Sequence, residues 1–340
     1  MTPKLFVTGA TGYVGGTVFH ALVTAHPKYE TTVLLREIPA GFSEKYPNVK
    51  IIRGTFDETS VLTRAASEAD IVVHHGNSDH VPAVQALLTG VIARANAFLP
   101  AYYIHLGGTG MIADTNALGD LTSKVWSDID DIDTIWSLPH ETIHRPTESL
   151  IQNAWTQHGN CLKTAVVCPP NIHGKGTGPG NRSSFYVPVF YQETVKAGAP
   201  FYVNSGSNVY SRAHVEDVAQ VFLKLVEAAA AGGQGAEWNR DGYYFVPNDE
   251  VSQIEIARAT GKILKTRGLV LTDEPKRITL DELDKKLVDV PLPGASRLVF
   301  AANSRSKADR THKVLGVRAK APGFLESLEG DLLRAAGLGQ

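Results

Sequence analysis

Residues 4–16 read "KLFVTGATGYVGG", and the way this stretch folds decides the rest of the chain. An apolar run ends at Thr8, and Gly9, Gly12 and Gly15 follow at intervals of three. Val14, Val18, Ala21, Leu22 and Ala25 then recur at helical spacing. A strand, a glycine turn and an amphipathic helix in that order let the backbone turn sharply and approach a pyrophosphate at the positive helix N-terminus. The glycine pattern alone is a weak signal, and its place between a strand and a helix is the context that gives it weight. Gly9, Thr11, Gly12, Tyr13, Val14 and Gly15 are therefore the expected dinucleotide-binding residues.

Working outward, "TTVLLR", "VKIIRG", "DIVVHHG", "YYIHLGG" and "KTAVVCPP" are five more short apolar runs, separated by helical segments such as "ETSVLTRAASEAD". Strands apolar on both sides and alternating with helices predict an α/β fold, a Rossmann-type doubly wound parallel sheet covered on both faces. After about residue 175 the texture changes. "GKGTGPGNR" at 174–182 is a glycine-rich loop, "SRAHVEDVAQVFLKLVEAAA" a strand end running into a helix, and "YYFVP" a further short strand. Ser252 and Glu255 have the spacing of a capping box for a helix in "SQIEIARATGKILK". The expected layout is a dinucleotide-binding domain over 1–175, joined by about 205–245. A smaller substrate-binding portion takes about 176–204 and 246–340.

Bulk properties narrow the function. A net charge of −2 with no long basic run argues against a nucleic-acid groove. Only Cys161 and Cys168 occur, too few for a disulfide scaffold. No apolar run reaches the roughly 18 residues of a membrane span, and a cytoplasmic location is expected. In "HHGNSDH" at 74–80, His74 and His75 on a strand end point to opposite faces, so no metal site is expected there. His75, Gly76 and Asn77 instead lie beyond the carboxyl end of a strand, where the nicotinamide end of a dinucleotide would bind. The second strand ends "VLLRE", with Leu35 where an acidic residue would hold the ribose of NAD and Arg36 next to it. A guanidinium suits a 2′-phosphate through paired hydrogen bonds. NADP(H) is favoured, and the neighbouring Glu37 leaves NAD(H) open.

"TGATGYVG", "PPNIHGKGTG" at 169–178 and "HVEDVA" at 214–219 resemble an extended short-chain dehydrogenase/reductase. More narrowly, the chain is similar to atypical NAD-dependent epimerase/dehydratase-like and NmrA-like members. The resemblance covers nearly the whole chain and implies that Thr55 and Phe56 border the adenine, with Asp57 in "RGTFDE" as a helix cap. It puts Pro170 and Asn171 beside the nicotinamide and Thr109 at the substrate oxygen. His173, Arg182, Tyr186 and Arg212 fall in regions that would face substrate, and a homodimer is an option.

The departure from that pattern is the family's Tyr-x-x-x-Lys pair. Its one occurrence, "YPNVK" at 46–50, contains a proline and precedes the third strand. No tyrosine lies between Tyr103 and Tyr186, where the catalytic helix belongs. The two slots are expected to be filled by His144 and Glu148 of "HRPTE". A histidine beside a carboxylate is coherent acid–base chemistry, since the carboxylate favours imidazolium. Glu148 would also accept hydrogen bonds from the nicotinamide ribose. Against this, Pro146 favours the first helical turn, which sets His144 outside the helix and leaves Glu148 as a solvated residue. The favoured expectation is an NADP(H)-dependent oxidoreductase acting on a carbonyl or secondary alcohol of a small organic molecule, with an altered proton donor. The alternatives are a non-catalytic NADP-sensing regulator, or an isomerase or epimerase using the bound cofactor.

Overall fold

The computed structural model describes residues 2–247, 249–290 and 292–339. The six expected strands are β1 (Lys4–Thr8), β2 (Glu30–Leu35), β3 (Lys50–Arg53), β4 (Ile71–His74), β5 (Tyr102–Leu106) and β6 (Lys163–Cys168). Two short strands, β7 (Asn171–His173) and β8 (Arg212–His214), pair with each other, and β9 (Tyr243–Phe245) joins β6. Among the described residues the main sheet has seven strands in the order β9-β6-β5-β4-β1-β2-β3, all parallel.

The apolar strands are explained by burial on both sides. All four residues of β4 are buried, as are Leu5–Thr8 of β1. Phe6, Val72 and Tyr103 face one layer, which includes Leu87 and Ile151. Their neighbours Leu5, Val7 and Val73 face the other, with Val18 and Phe222. Alternation along a pleated strand produces this two-sided core. A third cluster, including Phe190, Phe201, Ile256, Phe300 and Phe324, packs beyond the sheet.

Helices α1 (Tyr13–Ala25), α2 (Thr59–Glu68), α3 (Val81–Asn96) and α4 (Arg145–His158) follow β1, β3, β4 and β5 in the chain. Later come α5 (Tyr186–Ala197), α6 (Val215–Ala230), α7 (Gln253–Thr266) and α8 (Phe324–Ala335). The buried face of α1 runs through Gly15, Val18, Phe19 and Leu22, and Ala25 is exposed. Val14 and Ala21 of the expected stripe pack against the same layer, and Gly15 and Gly16 are pressed against backbone at the helix start. Helix α7 has the expected capping box, Ser252 N donating to Glu255 Oε2 at 2.9 Å.

The chain steps outward from β1 to β2 and β3, then returns to lay β4 on the other side of β1. The connections after β1 and β4 therefore part to opposite faces and leave a crevice at their carboxyl ends.

Candidate functional site

The glycine turn forms one wall of that crevice. Gly9 has φ +76, and a Cβ there would lie 2.6 Å from the carbonyl carbon and oxygen of His75. A Cβ on Gly15 would lie 2.4 Å from the Gly9 oxygen and 2.7 Å from His75 Cβ. Only bare backbone lets the turns after β1 and β4 touch. Helix α1 starts at Gly12 with no side-chain cap, so no side chain takes up its first N–H groups. That cradle fits a pyrophosphate.

A second loop lies over the first. Gly174 O accepts from Tyr13 Oη at 2.7 Å, and Thr11 O accepts from Asn181 N at 2.9 Å. Thr177 N donates to Thr17 Oγ1 at 3.3 Å, and Gly178 is closely packed on Gly16. Arg182 is exposed and holds this loop by donating Nε to Gly178 O at 3.0 Å. Its side chain therefore braces the loop, where the sequence reading placed it at substrate. Thr11, Gly12, Tyr13 and Val14 are half-buried under this cover, and Arg36 is exposed at the end of β2.

Thr55 N donates to Glu58 Oε2 at 2.7 Å, and Glu58, not Asp57, precedes α2. Asp57 pairs with His80 Nε2 at 3.1 Å. The Phe56 ring presses against Gly76, leaving no room for a Cβ there. The His75 ring is buried against Phe222 at 4.4 Å, on the sheet face away from His74. Its backbone, not its imidazole, borders the crevice. Among the described residues no group of three or more His, Cys, Asp or Glu is placed to hold a metal ion.

His144 and Glu148 do not form a pair. His144 precedes α4 with φ +70, and Pro146 is the second helical residue. This backbone turn sends the ring to Asp79, with Nδ1 and Oδ1 2.8 Å apart. Asp79 is set by Asn77, whose Oδ1 accepts from Asp79 N at 3.1 Å. With Nδ1 held by a carboxylate, Nε2 is the ring nitrogen turned toward Gly108, where a Cβ would lie 2.8 Å from it.

Glu148 is fully buried and not solvated. Tyr243 Oη donates to its Oε1 at 3.4 Å, and Arg145 Nη1 lies 3.8 Å from Oε2. Burial pushes its carboxyl up to about 7, with His144, Arg145 and Tyr243 offsetting part of that rise.

Thr109 is buried at the end of β5, its N–H donating to Pro169 O at 3.0 Å, and its Oγ1 has no hydrogen bond of regular geometry. Pro170 is buried and Asn171 half-buried, the latter with an unpartnered amide nitrogen. The remaining expected substrate residues are interior. Tyr186 donates to Gln253 Oε1 at 2.7 Å, and the Arg212 guanidinium sits 3.9 Å from the Tyr186 ring centre and 4.3 Å from that of Phe324. His173 packs edge-on to His214 and Phe324. These three form the seam between β7, β8 and the C-terminal layer, so packing is the role their contacts show. The sequence did not single out Asp79, although Asn-x-Asp is a recognisable Asx-turn pattern.

The architecture is a Rossmann sheet with a glycine turn at its switch point. Residues 1–97 match the NmrA-like family and residues 139–239 the NAD dependent epimerase/dehydratase family. The oxidase ucsJ of Acremonium sp is 29% identical, over 97% of this chain and 96% of its own length. Among solved structures, DesIV, a dTDP-glucose 4,6-dehydratase from Streptomyces venezuelae with NAD bound, superposes with a TM-score of 0.64 at 16% identity, covering 99% of both chains. UDP-glucose 4-epimerase from Thermotoga maritima gives 0.63 at 16% identity, covering 97% of both.

Proposed function

We propose that the protein is an NAD(P)(H)-dependent oxidoreductase that interconverts a carbonyl and a secondary alcohol on a small organic molecule, with His144 moving the proton. The observation that carries this reading is the His144–Asp79 pair at 2.8 Å, set with Nε2 against Gly108 at the carboxyl end of β5. The full-length similarity to an oxidase and the NAD seen with DesIV support redox chemistry on this fold.

The uncapped start of α1 would hold the pyrophosphate, and the exposed Arg36 would meet a 2′-phosphate, which favours NADP(H). A nicotinamide held there would supply or accept the hydride at the substrate carbon. In the reducing direction His144 donates the Nε2 proton to the carbonyl oxygen as the carbon gains hydride. In the oxidising direction Nε2 takes the hydroxyl proton. Asp79 holds the ring in one tautomer and stabilises the imidazolium that results. Thr109 Oγ1 is a donor to the same oxygen. Glu148, enclosed beneath this site, takes no part in proton transfer to substrate.

Titration with NADPH and separately with NADH, followed by nucleotide fluorescence, tests the cofactor, and tighter NADPH binding is expected. His144→Phe should bind nucleotide unchanged while turnover drops about 10²–10⁴-fold. Undiminished turnover removes His144 from the mechanism. The missing Tyr-x-x-x-Lys pair favours one other reading, a nucleotide-sensing regulator, which predicts nucleotide binding with no turnover in either variant.

A further inference from the structure

The chain has no tyrosine where the sheet's own helix would supply one, yet a phenol reaches the site from elsewhere. Tyr210 lies just before β8 and bridges to Ser304 of the C-terminal layer. It is 9% exposed. A Cβ built on Gly110 would lie 3.7 Å from His144 Nε2 and also 3.7 Å from Tyr210 Oη, with Ile143 at 3.3 Å. Two polar atoms from segments 66 residues apart thus border one point, directly beyond Thr109. The Tyr210 hydroxyl lies beside those of Thr109 and Ser304. Ser304 Oγ donates to Thr109 O at 2.7 Å, which ties the C-terminal layer to the end of β5.

We propose that Tyr210 is a further catalytic residue, a neutral hydrogen-bond donor that, with Thr109, holds the reacting oxygen while His144 transfers the proton. This deepens the proposed function and rests on it. Burial pushes the Tyr210 phenol up to about 12, so near neutral pH it keeps its proton and acts as a donor. A carbonyl oxygen has two lone pairs and accepts from two directions. As negative charge develops on it, preorganised donors in a site closed to water stabilise that charge strongly. Proton transfer and charge stabilisation, usually combined in one tyrosine and its lysine, are here divided between a histidine and a phenol brought in by the C-terminal half. The Ile143 methyl beside the same point suits a substrate that is apolar next to its carbonyl.

The test uses the full chain and a panel of aliphatic and aromatic aldehydes and ketones, with NADPH and NADH, followed by loss of reduced-nicotinamide absorbance. Tyr210→Phe keeps the ring and removes only the hydroxyl. It should bind NADPH and melt as the unmodified protein does, with kcat down about 100-fold and KM changed far less. Thr109→Val reads the same donor pair, with about a tenfold loss expected, should Phe disturb folding. A Tyr210→Phe kcat within twofold of the unmodified protein overturns this inference and leaves the proposed function standing. Bound nucleotide with no turnover of any panel member by the unmodified protein overturns both.

Discussion

His144 and Glu148 lie four residues apart and meet different environments, because the left-handed turn at His144 sends its ring to Asp79 while α4 carries Glu148 into the interior. A carboxylate in that interior is costly without a close partner, and Arg145 stands off at 3.8 Å. The folded chain holds the Glu148 proton up to about 7, whereas an unfolded carboxyl releases it near 4.5. Its contribution to stability therefore declines as pH rises between those values. Glu148→Gln should gain stability relative to the unmodified protein by about 2 kcal/mol more at pH 8 than at pH 5. Urea unfolding at both pH values measures this, and a pH-independent difference would sink the assignment of a proton to Glu148.

At the scale of elements, the glycine turn after β1 and the loop at 174–182 act as one unit. A Cβ on Gly180 would lie 2.2 Å from Thr11 O, too near for any accommodation short of moving the loop. Gly180→Ala should destabilise by about 1–3 kcal/mol, the usual penalty of overpacking. It should also weaken nucleotide binding, since Asn181 N and the Tyr13 hydroxyl would lose their anchors across the two loops. Thermal melting and NADPH titration read the two effects separately. A variant with unchanged affinity would show that the loop covers the turn without supporting it.

For the whole molecule, buried histidines govern the response to acid. Burial lowers His74 to about 4, His75 and His173 to about 3, and His105 well below its ordinary value. Below about pH 6.5 the unfolded chain protonates these rings and the folded chain does not, so stability falls as pH drops from 6.5 toward 4. Glu148 and Asp128, the latter raised by burial to about 6, work the other way. Four rings outweigh two carboxyls above pH 5, so the melting temperature should climb from pH 5 to about 7 and then level. A maximum below pH 6 would contradict this.

Residues 4–25 were sufficient to place β1, the turn and α1, because the strand period, glycine spacing and helix period are all local properties of the chain. The other five strands were legible for the same reason, as was the Ser252 cap. What the sequence could not convey was direction and company. His144 and Glu148 have the spacing of a pair, yet one backbone dihedral separates them, and the carboxylate that serves His144 comes from the turn after β4. Arg212, Tyr186 and His173 were expected to face substrate, but aromatic packing against Phe324 encloses them. Tyr210 reaches the site only because β8 pairs with β7 and Ser304 anchors the C-terminal layer to Thr109. Elements follow from local periodicity and composition. The constellation of polar atoms at the crevice follows from which loops the sheet order brings together, and that is decided only when the chain packs.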